Sequence, residues 1–349
     1  MVVEYINLCK MGCVTVKHTP FHIVHGLVVI MVMEGSLIFT TVAGDHVLQE
    51  GDIEILNVKE PVRLTAERES CRLLYVDFER QFVDSIRDDF EYITYNCNEG
   101  NFFGKRASEQ HIETLKRKFL EFLADGVQKK DYLTMKKNAL AMINFICANF
   151  DDIEHHFMES AEWSVSRERF KEISAYMVRH VSERITLKDI AQSIYLSVPY
   201  LSREFSLRLS KTCNEILNYY RTINAVIWLL DTNMSLTHIA ENSGFSSPRY
   251  YNKAFAAALG MQPGKFRALN KGAKAEVRVE QLSPAEILTA LQNLQQEKAA
   301  PKVVIHCPSD VRSFSEAITN SGSAEIYYTI KVCLKPHERL QIIKSEDLS

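Results

Sequence analysis

Two stripes of side chains in the second half of the chain carry groups that could grip a polyanion. Pro199, Ser202, Arg203 and Ser206 fall on one face of VPYLSREFS, and Arg249, Asn252 and Lys253 on one face of PRYYNKAF. Arg and Lys donate to phosphate oxygens and to the guanine edge, Asn can pair with adenine, and Ser offers a short hydroxyl. Spacings of three and four residues bring each set together only if the segment is helical. Any exposed helix face is polar, so one stripe alone would weigh little. Two stripes in matched positions weigh more.

The elements that would hold them are themselves repeated. ITLKDIAQSIYLSVPYLSREF, Ile185 to Phe205, returns as MSLTHIAENSGFSSPRYYNKAF, Met234 to Phe255. Ile190-Ala191 aligns with Ile239-Ala240 at an offset of 49, and Leu201/Phe205 with Tyr251/Phe255 at 50. The extra residue therefore falls in a turn, where an insertion costs least. In each copy Leu187 and Ile190, or Leu236 and Ile239, make the inner face of a short first helix, and Ala191 or Ala240 permits a close crossing. Ser197 in one copy, and Ser246 or Ser247 in the other, can cap the second helix. Gly244 suits a left-handed turn. This is the pattern of two helix-turn-helix units, whose second helix enters the DNA major groove.

Between them EILNYYRTINAVIWLL, Glu215 to Leu230, predicts a helix of sixteen residues, or about 24 Å at 1.5 Å per residue. That rod can hold two reading helices near the ~34 Å spacing of successive major-groove segments. On it Arg221 is expected to touch phosphate or to pair with a carboxylate. Charge agrees: residues 167–270 carry a net +6, against −9 for residues 1–166 and −3 for the whole chain.

The whole chain of 349 residues is 46% hydrophobic and 24% charged, ordinary for a globular protein of two or three domains. From Leu27 to Phe78, β-rich runs break at Glu34-Gly35, Ala43-Gly44-Asp45 and Glu50-Gly51-Asp52, predicting an antiparallel sandwich or small barrel. Ile112, Leu115, Phe119 and Phe122, then Leu133, Leu140, Ile143, Ile146 and Phe150, predict a helical hairpin with Gly126 separating its arms. Asp151 to Ser166 reads as a polar linker. Ser283 to Gln296 predicts a capped helix, and Lys302 to Cys307 a strand. Eight cysteines include no C-x-x-C pair and read as small hydrophobes in a reducing compartment. No apolar run approaches the ~18–20 residues of a membrane span, and no signal peptide is read at the N-terminus. The expected setting is the cytoplasm.

Residues 167–269 resemble the AraC/XylS family of bacterial transcription regulators. The likeness rests on ITLKDIA, the Leu201/Phe205 pair, RTINAVIWLLDTNMSLTHIAENSGFSSPRYYNKAF, and LGMQPGKFR with its Gly260, Pro263 and Arg267. VVIMVMEGSL and VLQEGDIEILN are similar to the family's cupin-like effector domain. The implied fold is α+β: an N-terminal cupin-like antiparallel β-barrel with a helical hairpin, an all-α double helix-turn-helix domain, and a small C-terminal tail. The implied division is 1–105 for the effector-binding barrel and 106–150 for the hairpin, which is expected both to cover the barrel and to pair two subunits. Residues 151–166 are the linker, 167–270 the DNA-binding domain, and 271–349 a tail of unassigned role. The resemblance implies promoter DNA and RNA polymerase as partners, activation as the outcome, a homodimer, and a small-molecule effector such as a sugar in the barrel. Base contact is implied for Pro199, Ser202 and Arg203, and for Arg249, Asn252 and Lys253. Pro199 departs from the pattern by offering no polar group, which leaves most of the first reading to Arg203.

Two other functions compete. A cupin-type metalloenzyme needs His and Glu ligands converging in the barrel. His18, His22 and His25 lie near one another, but Val28 stands where the resemblance expects a Glu, and Val62 where it expects a His. His46, just after a turn, is expected to be exposed. No metal or other cofactor is expected, nor a catalytic role. A protein-binding adaptor is the third reading, and the cationic stripes favour DNA over it. Ile318 to Val332 faintly resembles the start of a glycosidase-like barrel fused to some members of the family, but fewer than eighty residues cannot form one.

Overall fold

The computed structural model describes residues 3–87, 90, 93–98, 107–151, 172–209, 211–299, 305–306 and 341–342. The chain divides into two units, 1–291 and 292–349. The remainder of the expected linker, 152–166, and the faint glycosidase likeness lie outside the described residues.

The first unit opens with nine strands: β1 (Val3–Tyr5), β2 (Cys9–His18), β3 (His22–Ile23), β4 (Leu27–Glu34), β5 (Leu37–Thr41), β6 (Gly44–Leu48), β7 (Ile53–Leu56), β8 (Pro61–Ala66) and β9 (Cys71–Phe78). They form one antiparallel sheet in the order β6-β5-β8-β2-β9-β4-β7, curled into a nearly closed barrel. Alternation supports the closure: on β9 Cys71 and Leu73, then Leu74, Val76 and Phe78, are buried, with Arg72, Tyr75 and Asp77 half-buried between them. Val16, Ile30, Leu37, Phe39, Val62 and Leu73 meet inside. The breaks after β4 and β6 fall at Gly35 and Gly51, both at φ +84°, where a side chain would be strained.

Helices follow: α1 (Arg80–Ile86), α2 (Glu109–Val127) and α3 (Tyr132–Asn149). Gly126 does not separate the hairpin arms. It lies in the last turn of α2 with Met11 Sδ only 2.3 Å from where a Cβ would stand, so its bareness lets α2 lie on β2. The true break is Gln128 to Asp131, with Lys129 left-handed at φ +54° and Asp131 capping α3 through Leu133 N and Thr134 N. Asp151, expected to start the linker, is instead fully buried and bridges Tyr95.

A helix over 172–179 (α4) leads into a helical segment: α5 (Leu187–Ser193), α6 (Val198–Leu209), α7 (Cys213–Asp231), α8 (Leu236–Asn242), α9 (Pro248–Leu259) and α10 (Pro263–Asn270). The chain then adds β10 (Glu276–Glu280) to β2 as an antiparallel strand and enters α11 (Pro284–Ala299). Arg72 on β9 ties this return down, donating to Glu280 at 2.8 Å and to both carboxylate oxygens of Glu286 at 2.7 and 2.9 Å. Beyond it, β11 (Ile305–His306) pairs with β12 (Gln341–Ile342). No helix among the described residues is long and apolar enough to cross a membrane.

Barrel and helical segment share a core. Phe21 and Val42 of the barrel pack into the cluster of Val226, Ile239, Phe255 and Phe266, with the Phe21 and Phe266 rings 5.1 Å apart. Phe21 N donates to the buried Asn270 side chain at 2.9 Å, so the joint is directional as well as apolar. Burying a side chain of this size is worth about 2–3 kcal/mol.

Candidate nucleic-acid interface

The two units repeat the same helix caps and the same turn. Thr186 caps α5 through Asp189 N, and Ser235 caps α8 through His238 N. Each first helix ends in the same turn, closed by Leu196 N donating to Ala191 O at 2.8 Å and by Phe245 N donating to Ala240 O at 3.1 Å. Ser197 then caps α6 through Tyr200 N, and Ser247 caps α9 through Tyr250 N. That choice between the two serines makes Ser246 the inserted residue. Ile190, Ala191, Leu201 and Phe205 are buried in one unit, and Ile239, Ala240, Tyr251 and Phe255 in the other.

With those faces fixed, Pro199, Ser202, Arg203, Ser206, Arg249, Asn252 and Lys253 are all exposed. Both stripes are thus presented to solvent on helices of twelve residues. The spacer α7 is longer than the periodicity predicts: nineteen residues, about 28 Å, started by a Thr212–Glu215 capping box.

Arg221 does neither of the things expected of it. Only 8% exposed, it donates from Nη2 to the carbonyls of Glu183 and Ile185 at 3.3 and 3.1 Å. It is a tie between the rod and the entrance to the first unit. Asn224 adds bonds to Ser182 Oγ and Asn242 O, and Asn218 donates to Tyr250 Oη at 2.6 Å. Gly244 completes this seam. At φ +75° its missing Cβ would stand 2.2 Å from Val181 O and 2.7 Å from Glu183 O. The two units are therefore locked to each other and to α7. Periodicity could not reveal these bonds, because Arg221 and Asn224 look like ordinary polar positions on a helix.

Sequence reasoning also passed over Tyr195. It holds the first turn's left-handed position at φ +57°, where the second turn has Gly244, and it is 96% exposed. Its match to Gly244 at an offset of 49 was the available signal.

The barrel holds a polar cluster. His46 is not exposed; its side chain is 16% accessible, lies on the Phe39 ring at 4.8 Å, and meets Glu54 Oε2 at 3.1 Å. The buried Glu54 also accepts from Ile55 N, Cys97 N and Asn98 Nδ2. Glu60 accepts from Asn57 N and Nδ2, and burial outweighs those bonds to push its carboxyl up to about 7. The cavity at this cluster is about 10 Å³, no more than one water. A cleft of about 550 Å³ lies instead where the barrel meets α4 and α7, lined by His25, Glu60, Tyr219, Tyr220, Ile223 and Asp231 among others. That is the size of a small-molecule site. His22 pairs across the sheet with Val62, and His18 Nδ1 lies 3.3 Å from Thr65 Oγ1. Among the described residues no three His, Cys, Asp or Glu side chains gather as a metal-binding set. The described cysteines, Cys9, Cys13, Cys71, Cys97, Cys147 and Cys213, are buried free thiols.

Residues 9–129 match the model of an AraC-like ligand binding domain, and residues 190–269 that of a helix-turn-helix domain. Over 123 residues the chain is 31% identical to the uncharacterized HTH-type transcriptional regulator YfiF of Bacillus subtilis (strain 168), covering 33% of this chain and 39% of the relative. Over 99 residues it is 30% identical to regulatory protein PocR of Salmonella typhimurium (strain LT2), covering 28% and 33%. The chain thus spans less than half the length of these relatives. Among solved structures, ToxT from Vibrio cholerae O395 aligns over 76% of this chain and 99% of its own, at 13% identity and a TM-score of 0.43. The DNA-binding domain of AdpA in complex with a target DNA aligns over 28% and 87%, at 26% identity and a TM-score of 0.27.

Proposed function

We propose that this chain, a member of the AraC/XylS family of transcription regulators, reads promoter DNA with α6 and α9 in two adjacent major-groove segments. The observation that carries the reading is the duplicated unit with both stripes exposed and both units tied to one helix. Arg203, Arg249, Asn252 and Lys253 contact base edges, with Ser202 and Ser206 beside them. The regulator acts in the cytoplasm, as an activator that contacts RNA polymerase, and works as a homodimer through α2 and α3. It performs no catalysis of its own.

The effector site follows from volume. A sugar-sized molecule cannot enter the 10 Å³ cavity at His46 and Glu54, whereas the 550 Å³ cleft has the volume for one. A ligand there touches the barrel and the α7 rod at once. It changes DNA binding to the extent that it prefers one arrangement of the two.

The test is a mobility-shift assay of the purified protein against genomic fragments, with excess non-specific competitor. A small set of fragments should stay bound. Arg249→Ala should lower affinity for them by about 1–3 kcal/mol. Uniform retention of all fragments, unaffected by Arg249→Ala, would contradict sequence-specific reading.

A further inference from the structure

The two reading helices begin differently. In α9 the first two residues are Pro248 and Arg249; in α6 they are Val198 and Pro199, and all four are exposed. At the offset of 50 that aligns the capping serines, Pro199 stands where Arg249 stands. The amino-terminal turn is the part of a recognition helix that reaches base edges. Arg249 brings a guanidinium to that place. The first unit brings only carbon: the Pro199 ring and a Val198 side chain that is 37% exposed. Tyr195, in the preceding turn, is a further exposed aromatic residue of this unit.

An apolar surface cannot satisfy the oxygen and nitrogen atoms of guanine, adenine or cytosine edges. The one carbon group that a base pair presents in the major groove is the 5-methyl of thymine. We propose that α6 selects thymine through methyl contact with Val198 and Pro199, so that the protein reads one half-site by apolar contact and the other by hydrogen bonds. This rests on the promoter-reading function above and names the base class for its first helix. Arg203, one turn further along, keeps a polar contact to the same half-site.

The experiment begins by selecting bound duplexes from a random-sequence library with the full chain. Each thymine of the enriched site is then replaced singly by deoxyuridine, which removes only the methyl. One half-site should contain a thymine whose replacement weakens binding about fourfold, the effect of one buried methyl-sized group. Pro199→Arg, which copies Arg249 at the same helix position, should shift that base from thymine to guanine and leave the other half-site unchanged. Equal affinity for every deoxyuridine duplex, with the enriched site intact, would overturn methyl reading while leaving promoter reading in place. A library that yields no enriched sequence would overturn both.

Discussion

Tyr195 and Gly244 occupy one backbone position in two copies of a turn, under opposite constraints. Tyr195 projects into solvent, so its left-handed backbone costs energy and its side chain returns little. Tyr195→Gly should relieve about 1–2 kcal/mol of strain, partly offset by the freedom that glycine adds to the unfolded chain. A net gain of about 0.5 kcal/mol should appear as a higher urea midpoint with an unchanged slope. Gly244→Ala should lose about 3 kcal/mol or more, because the added carbon meets Val181 O at 2.2 Å. Equal midpoints for wild type and Gly244→Ala would disprove the close approach. Glu60 makes a second prediction. Its folded carboxyl titrates at about 7, above the ordinary 4.5, so between those values the folded state holds a proton that the unfolded chain has released. This group's share of stability is therefore greatest below pH 4.5, declines as pH rises to 7, and levels off beyond. Melting temperatures taken from pH 5 to 7.5 should fall more steeply in wild type than in Glu60→Gln. Parallel curves would remove Glu60 as the cause.

At the scale of elements, the helices were legible wherever a 3.6-residue period ran for several turns, as on α2, α3 and α7. Boundaries were less so. Gly126 read as a separator because glycine usually breaks helices; the contact with Met11 that explains it joins residues 115 positions apart. β10 left no trace of itself as a barrel strand. Its side chains are mostly exposed, and its partner β2 lies some 260 residues earlier, so only the folded chain brings them into register. Arg72 holds that return. Hydrogen bonds from Thr15, Arg278 and Arg72 draw the Glu280 carboxyl down to about 2, the mark of a carboxylate favoured in its charged form. Arg72→Ala leaves Glu280 and Glu286 without their shared cation. Trypsin cleavage after Lys271 and Lys274 should quicken about tenfold while far-ultraviolet dichroism is unchanged. Cleavage at the wild-type rate would show that the backbone pairing of β10 suffices.

At the scale of the whole molecule, the candidate site was the most legible part, because a duplicated pattern states its own alignment. All seven stripe residues are on the surface, and Arg221 was misread because a buried arginine serving backbone carbonyls has no sequence signature. The cleft proposed as the effector site was the least legible. It is built between the barrel and α7, and no single stretch of chain contains it. Above all, α7 and its ties hold α6 and α9 at a fixed separation. The direct measurement is affinity for duplexes carrying the two selected half-sites at graded separations. Tight binding is expected when their centres lie one helical turn apart, about 10–10.5 base pairs, and a loss of about 100-fold or more when five base pairs are inserted. Affinity that stays level across all separations would mean that the two helices reach DNA independently, and would contradict the rigid reader.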